Sequence, residues 1–210
     1  WTIGFLILER MSRKKKKPDW QDDALAVARA LKTGDIAVHS TDTVWGLAAD
    51  AMSEAAVSRV FDIKKRDKTS TLLMLVDSPG MLEKYLPALP EAAWDLLDLS
   101  DRPVTVIAKC SDDAKTNLAP GLVAADGSLA VRWVKDDYLA FIIRGLGRPI
   151  ASTSANLNGK ATPKSYLGID EAVTSAANFV AQHRRNAPIN CAPSMLVKFD
   201  EQDRITIIRS

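Results

Sequence analysis

Apolar residues recur between residues 19 and 210 with spacings that predict both helices and strands. The first helix is indicated by apolar residues at positions i, i+3, i+4 and i+7, namely Ala24, Val27, Ala28 and Leu31. We expect Asp19 or Asp22 to cap the N-terminus of this helix and Gly34 to end it. The short apolar run at 36–38 then predicts a buried strand.

The rest of the chain alternates between the same two kinds of segment. Apolar runs predict strands over 71–76, 104–108 and 129–134, and a strand that ends at 150–151. Helices are predicted from Ser53 to Lys64, after Ser78-Pro79, around Trp94 and Leu97, from Asp137 to Leu146, and over a segment containing Ile169, Val173, Ala176, Ala177 and Val180. Residues 111–127 are predicted to be a polar loop, and a hairpin is expected over 195–208.

Intermixed helices and strands in one chain favour an α/β fold. Because the last two strands form a hairpin, we expect a twisted mixed β-sheet flanked by helices rather than an all-parallel sheet. Residues 19–210 contain no linker or repeat that would divide them, so they are predicted to form one domain.

Two hydroxyl-rich segments follow predicted strands. Ser152-Thr153-Ser154-Ala155-Asn156 comes after Ile150-Ala151, and the segment 39–47 comes after the strand at 36–38. Ligands of open α/β sheets bind at the carboxyl ends of strands, so both segments are candidate binding loops. On composition alone, ordinary Ser/Thr/Asn turns are the favoured interpretation.

Lys64 occupies an apolar position of its predicted helix, in register with Val57, Val60 and Phe61. The favourable field at a helix C-terminus explains the neighbouring Lys65 and Lys68, but it does not explain that position. Two interpretations remain open: the lysine stem lies along the apolar surface, or the ammonium group faces a phosphate.

Arg132 raises a similar question, because it lies within a predicted strand. An arginine in a strand usually points to solvent, whereas a buried arginine needs an anionic partner. The chain has no glycine-rich phosphate loop of either common type, so separate loops would have to hold a nucleotide.

The net charge of +2 is unevenly distributed. Residues 13–17 hold five positive charges, and the remainder of the chain has 23 basic and 26 acidic residues. We therefore expect residues 1–18 to be a basic, disordered N-terminal extension, with a nonspecific RNA contact as the functional alternative. The apolar run at 3–8 is too short to span a membrane.

The positions of the cysteines and histidines bear on the cellular compartment and on metal binding. Cys110 and Cys191 are far apart, which favours reduced thiols in a cytoplasmic protein over a disulfide framework. His39 and His183 lack the spacing of metal ligands, so no zinc site is predicted.

Four short motifs together resemble those of a known family. They are Ser40-Thr41-Asp42-Thr43-Val44-Trp45-Gly46-Leu47, Lys64-Lys65-Arg66, Leu129-Ala130-Val131-Arg132 and Ser152-Thr153-Ser154-Ala155-Asn156. With Ser194 and Arg209 near the end, this ordered set resembles the YrdC-like family of L-threonylcarbamoyladenylate synthases over residues 22–209.

The resemblance implies a twisted α/β sheet with a large, positively charged concave pocket. It implies synthesis of threonylcarbamoyl-AMP from L-threonine, bicarbonate and ATP, with release of pyrophosphate and with Mg²⁺ accompanying the ATP. A downstream tRNA threonylcarbamoyl-transferase complex would then modify adenosine 37 of tRNAs that read ANN codons.

The resemblance also implies roles for particular residues. Lys64 and Arg66 would be catalytic and hold triphosphate oxygens. The residues expected to bind threonine or ATP are Thr41, Thr43, Ser70, Arg132, Ser152, Ser154, Asn156, Ser194 and Arg209. The chain departs from the family pattern at Ser40, Trp45, Val134, Asp136 and the segment 195–198.

Two other functions stay open at this point. A non-catalytic RNA-binding module would use the basic pocket together with the segment 13–17, although the acidic excess of the remaining chain counts against it. A relative that handles a carbamoyl-adenylate would share the domain, but such domains normally occur in larger chains.

Overall fold

The computed structural model describes residues 19–67, 69–187 and 192–210. The basic run 13–17, Lys68 and Cys191 lie outside these residues. The strands within them are β1 (Ala37–His39), β2 (Gly46–Asp50), β3 (Leu73–Val76), β4 (Val104–Lys109), β5 (Ser128–Trp133), β6 (Ile150–Ser154), β7 (Phe179–Val180), β8 (Met195–Phe199) and β9 (Ile205–Arg209). They form one sheet in the order β7-β1-β2-β6-β3-β5-β4-β8-β9.

The sheet is mixed, as expected. The β1–β7, β3–β5 and β4–β8 pairs are parallel, and the other neighbouring pairs are antiparallel. The strand at 73–76 lies at the centre of the sheet, and β8 and β9 form the predicted hairpin at one edge.

Most helices begin at a side-chain cap that the sequence displays. The helices are α1 (Gln21–Lys32), α2 (Glu54–Lys64), α3 (Pro79–Tyr85), α4 (Glu91–Leu99), α5 (Asp112–Asn117), α6 (Asp137–Leu146) and α7 (Glu171–Ala176). Ser53, Ser78 and Asp136 each accept a hydrogen bond from a first-turn amide of the helix that follows. Within the described residues, no helix combines the length and hydrophobicity needed to cross a bilayer.

Helices cover the two faces of the sheet unequally. On one face, α1 and α6 pack against each other and over β7, β1, β2 and β3. Their close approach depends on Gly145, where an added Cβ would lie 3.0 Å from the Ala28 Cβ. On β5, β4 and β8 the same face stays partly exposed at Ala130, Ile107 and Leu196. The opposite face carries the larger apolar core.

Several sequence predictions were wrong. Ser152, Thr153 and Ser154 belong to β6 rather than to a loop, because this strand is paired on both sides, with β2 and with β3. The strand β2 was not predicted. The segment 112–117 is a helix, capped by Ser111 with an acidic first turn, instead of a loop.

Two helix boundaries also differ from the predictions. The helix α1 begins after Trp20, without a side-chain cap from Asp19 or Asp22. The last helix ends at Ala176, and Val180 lies in β7. The reason is that the amides of Asn178 and Phe179 donate to the carbonyl oxygen of Ile36, so the chain joins the sheet edge instead of continuing as a helix.

Gly121 is expected to be essential for the packing of α2, the helix whose last residue is Lys64. Its φ is +94°, and an added Cβ would lie 2.5 Å from Cε2 of Phe61. We predict that Gly121→Ala lowers the free energy of unfolding by about 2–5 kcal/mol, from left-handed strain plus overpacking. Urea denaturation measures this loss.

Gly34→Ala is the matched control, since Gly34 has a φ of +86° and nothing lies within 4 Å of an added Cβ. This variant should lose only the strain component, about 1–2 kcal/mol. Equal losses in the two variants would contradict a steric role for Phe61.

Candidate functional site

A cavity of about 330 Å³ opens on the half of the sheet face that α1 and α6 leave uncovered. Its wall includes the loop between β1 and β2, the strand β6, the chain after α2, and the strands β5, β8 and β9. Eight of the eleven predicted site residues line it: Thr41, Thr43, Arg66, Arg132, Ser152, Ser154, Ser194 and Arg209. The other three, Lys64, Ser70 and Asn156, lie beside the lining residues rather than on the wall.

Arg132 is buried and has the anionic partner that burial requires. Its Nη2 donates to Oδ1 of Asp42, and its Nη1 donates to Thr43 Oγ1 at 3.0 Å. Burial lowers the pKa of the Arg132 guanidinium, and the Asp42 carboxylate opposes that shift. The interpretation of Arg132 as a solvent-facing strand residue is therefore wrong.

The hydroxyl of Thr41 is committed to the backbone of its own loop. Thr41 Oγ1 donates to the carbonyl oxygen of Val44 at 2.6 Å, which uses its single proton. The Thr43 hydroxyl oxygen lies 2.9 Å away and accepts from Arg132. Thr41 also accepts from the amides of Thr43 and Val44, so its oxygen is fully occupied in shaping the loop.

Lys64 is buried at the end of α2, and its ammonium group binds backbone carbonyls. Nζ donates to the carbonyl oxygens of Ser154 at 2.6 Å and Asn156 at 2.7 Å. Burial, and then the charge of Arg66, lower the pKa of Lys64 to about 8. These hydrogen bonds link the C-terminal end of β6 to the end of α2, next to the cavity wall.

Asn156 and Ser70 lie just behind this wall. The Nδ2 group of Asn156 donates to the carbonyl oxygens of Leu157 and Lys160, and its Oδ1 is buried without a hydrogen-bond partner within the described residues. The amide of Ser70 donates to the carbonyl oxygen of Asp67, immediately before Thr71, which does line the cavity.

The far wall comes from the C-terminal hairpin. Ser194 Oγ lies 2.7 Å from the buried Thr105 Oγ1, and Arg209 donates through Nε and Nη2 to the Ser194 carbonyl oxygen at 3.1 and 2.8 Å. These contacts bring residues at the end of the sequence to the same cavity as the loop at 41–44.

The wall is cationic and rich in hydroxyl groups. Arg66, Arg132 and Arg209 line it, and none of the lining residues that the structure describes is a carboxylate. Burial lowers the pKa of the Arg66 guanidinium, but arginine remains charged in proteins. Such a wall suits a ligand with several negative charges and several hydrogen-bonding groups.

Sequence reasoning missed three hydroxyl-bearing residues of this wall, Thr71, Thr153 and Thr162. Thr153 stands inside the recognised Ser-Thr-Ser motif, so the motif itself was the available signal. Thr71 and Thr162 carry no local signal, because only tertiary folding brings the chain after α2 and the segment around residue 162 to β6.

Asp42 is expected to stabilise the fold through Arg132. We predict that Asp42→Ala lowers the free energy of unfolding by about 3 kcal/mol, because it leaves a buried guanidinium without its carboxylate. Asp98→Ala, which removes an exposed carboxylate 3.8 Å from Lys135, should change stability by no more than about 0.5 kcal/mol. Chemical denaturation of both variants tests this, and similar losses would contradict it.

Comparison with known proteins finds a matching family. A family model labelled Sua5_yciO_yrdC, described as telomere recombination, matches residues 29–210. The threonylcarbamoyl-AMP synthase of Bacillus subtilis is 32% identical over 68% of this chain and 41% of its own length. A putative threonylcarbamoyl-AMP synthase of Methanocaldococcus jannaschii is 31% identical over 86% of this chain and 82% of its own length. The chain thus spans less than half of the first relative and about four fifths of the second.

Solved structures share the fold. Sua5 from P. abyssi, complexed with L-threonine, superposes with a TM-score of 0.75 at 24% identity, over 85% of this chain and 51% of that one. YciO from E. coli superposes with a TM-score of 0.72 at 16% identity, over 90% and 89% of the two chains. The resemblance predicted from the four motifs is confirmed, and the chain belongs to the Sua5/YciO/YrdC family.

Proposed function

We propose that this chain is an L-threonylcarbamoyladenylate synthase, a nucleotidyltransferase that acts on L-threonine, bicarbonate and ATP. The observation that carries the proposal is the convergence of Arg66, Arg132 and Arg209 with the Thr43, Ser152 and Ser154 hydroxyls in one cavity without carboxylates among its described lining residues. The names of the relatives support the same activity.

The reaction would need no covalent enzyme intermediate. The amine of threonine combines with bicarbonate-derived CO₂ and loses a proton, giving a carbamate. A carbamate oxygen then forms a bond to the α-phosphorus of ATP, and the bond from that phosphorus to the bridging oxygen breaks, releasing pyrophosphate. Catalysis of this kind rests on positioning and on stabilising charge at the phosphates.

The positively charged residues at and beside the wall have different roles in the proposed reaction. Arg66 neutralises the leaving pyrophosphate, because it lines the cavity and keeps its charge. Arg132 is held rigidly by Asp42 and Thr43 and binds the carboxylate of threonine. Lys64 acts indirectly. Its ammonium group donates to the carbonyl oxygens of Ser154 and Asn156, and these hydrogen bonds hold the hydroxyls of β6 beside the phosphates.

Mg²⁺ enters this proposal as a companion of ATP. Within the described residues there is no group of three or more metal-ligating His, Cys, Asp or Glu side chains, so the donor set fits an ion bound mainly by phosphate oxygens and water. Bound in that way, Mg²⁺ would neutralise phosphate charge alongside Arg66.

The partners and the setting of the reaction belong to the proposal as well. A downstream tRNA threonylcarbamoyl-transferase complex would consume the adenylate, with tRNA as the final acceptor. A cytoplasmic location remains the expectation drawn from the separated cysteines.

A labelling experiment tests the activity. The protein is incubated with ATP, Mg²⁺, bicarbonate and labelled threonine, and the adenylate is identified by mass; we expect it to retain the label. Arg66→Ala should slow threonine-dependent pyrophosphate release by about 10²–10³-fold, as expected when one charge-stabilising group is removed. Arg204→Ala, a change to an exposed arginine of the hairpin, is the control and should leave the rate unchanged.

A carbamoyl-adenylate without threonine would support the alternative of a carbamoyl-handling relative. Undiminished pyrophosphate release in Arg66→Ala would reject the role of that residue. RNA binding that is indifferent to ATP, with no adenylate formed, would favour the RNA-binding module.

The lowered pKa of Lys64 predicts a pH dependence. Because the ammonium loses its proton as the pH rises through about 8, the positive charge beside the phosphate site is present below that pH and lost above it. We expect ATP affinity to fall about tenfold between pH 7 and pH 9, because the charge-assisted hydrogen bonds by which Lys64 holds the Ser154 and Asn156 carbonyl oxygens weaken with the loss of that proton. Calorimetric titration at several pH values measures it.

Lys64→Met is the control for this titration. The variant should bind ATP more weakly at pH 7 and show a flat profile, provided that thermal melting confirms its fold. A profile with the same slope as the wild type would show that another group titrates.

A further inference from the structure

His39 is a buried residue that the proposed mechanism does not use. It is the last residue of β1, pairs with Gly46 of β2, and is 1% exposed. Its Nδ1 lies 3.1 Å from the carbonyl oxygen of Ser40. Since a carbonyl oxygen only accepts hydrogen bonds, Nδ1 carries the proton, and Nε2 is left with a bare lone pair.

The Nε2 atom of His39 has no hydrogen-bond partner within the described residues, although it is fully buried. Buried polar atoms in folded proteins are nearly always paired, so an unpaired acceptor requires an explanation. Burial lowers the pKa of His39 to about 4, which keeps the imidazole neutral and Nε2 an acceptor at physiological pH.

The unpaired nitrogen points toward the cavity wall at Gly46. A Cβ added to Gly46 would lie 3.1 Å from Nε2 of His39 and 3.3 Å from Oγ of Ser152. Gly46 and Ser152 both line the cavity, and Gly46 has no side chain to separate the imidazole from it. Nε2 of His39 and Oγ of Ser152 therefore both border the space over Gly46.

We propose that His39 Nε2 and Ser152 Oγ form a subsite over Gly46 that accepts the side-chain hydroxyl of the amino-acid substrate, which makes His39 a specificity-determining residue. This inference rests on the proposed function. It assigns a role to a residue that lies behind the cavity wall and outside the recognised set of site residues.

The chemistry of the substrate identifies the donor. The amine is carboxylated in the proposed reaction and must face the phosphates, and the carboxylate needs a cation such as Arg132. The hydroxyl is the remaining group of threonine that has a proton to give. A neutral donor also suits the site, since Arg132 is near enough to lower the pKa of His39 by its charge, although Asp136 and Asp23 act in the opposite sense.

Two substitutions separate the two nitrogen atoms of the imidazole. His39→Asn places an amide group near the position of Nδ1, so it keeps a donor for the Ser40 carbonyl oxygen but loses the acceptor. His39→Gln reaches the position of Nε2 and can restore an acceptor there. Both variants keep a neutral polar side chain, and thermal melting and ATP affinity report whether the fold and the phosphate side are intact.

The readout is the ratio of kcat/KM for L-threonine to that for L-valine, which has a methyl group in place of the hydroxyl. We expect His39→Asn to lower this ratio at least tenfold by slowing threonine alone, and His39→Gln to recover part of it. An unchanged ratio in His39→Asn, or equal losses for both amino acids, would overturn the assignment.

A second measurement uses the wild-type protein and does not depend on the folding of a variant. The chain has two histidines, so the ¹⁵N resonance of His39 Nε2 can be assigned by comparison with a His183 variant. We expect L-threonine to shift this resonance in the direction of hydrogen bonding and L-valine to leave it in place. Identical responses to both would overturn the inference.

The two experiments also separate this inference from the proposed function. A wild-type protein that forms no adenylate contradicts the function. An active protein whose threonine-to-valine ratio ignores His39 contradicts this inference alone.

Discussion

Helices α1 and α6 cover only half of one sheet face, and this uneven coverage determines where the protein can bind anything. The covered half is closed by direct packing at Gly145 and Ala28, whereas the other half presents Ala130, Ile107 and Leu196 to the cavity. Such an opening costs hydrophobic burial, and the cost is limited here because the apolar residues of the floor stay only partly exposed. The strands supply the floor together with Arg132 and Arg209, and the chain after α2 supplies Arg66.

Buried cations fix the walls of this opening. Arg132 and Lys64 are both almost fully buried, and each donates hydrogen bonds to partners from a different part of the chain. Arg132 joins β5 to the loop after β1, and Lys64 joins α2 to the exit of β6. A buried charge with its partner removed is strongly unfavourable, so these contacts select one arrangement of the loops over others. The site is therefore built by the same interactions that define the fold around it.

The sequence allowed the prediction of much of this arrangement. The apolar register of Lys64 distinguished it from its basic neighbours, and the mixed sheet, α6 and the final hairpin follow from periodicity, caps and turns. The strand character of Ser152 and Ser154 was not predictable, because serine has a low strand propensity and here the two neighbouring strands impose the extended conformation. The carbonyl partners of Lys64 and the place of His39 behind Gly46 depend on contacts between distant segments. The local spacing of residues along the chain does not predict such contacts.

The two threonines of the loop at 41–44 have different capacities for binding. The single proton and both lone pairs of the Thr41 hydroxyl are used by the backbone of the loop, so this oxygen has nothing left to offer an incoming molecule. The Thr43 oxygen accepts from Arg132 and lines the cavity, so it is the one of the two that can contact a ligand. The same short segment thus assigns a structural task to one threonine and a binding task to an identical side chain two positions later.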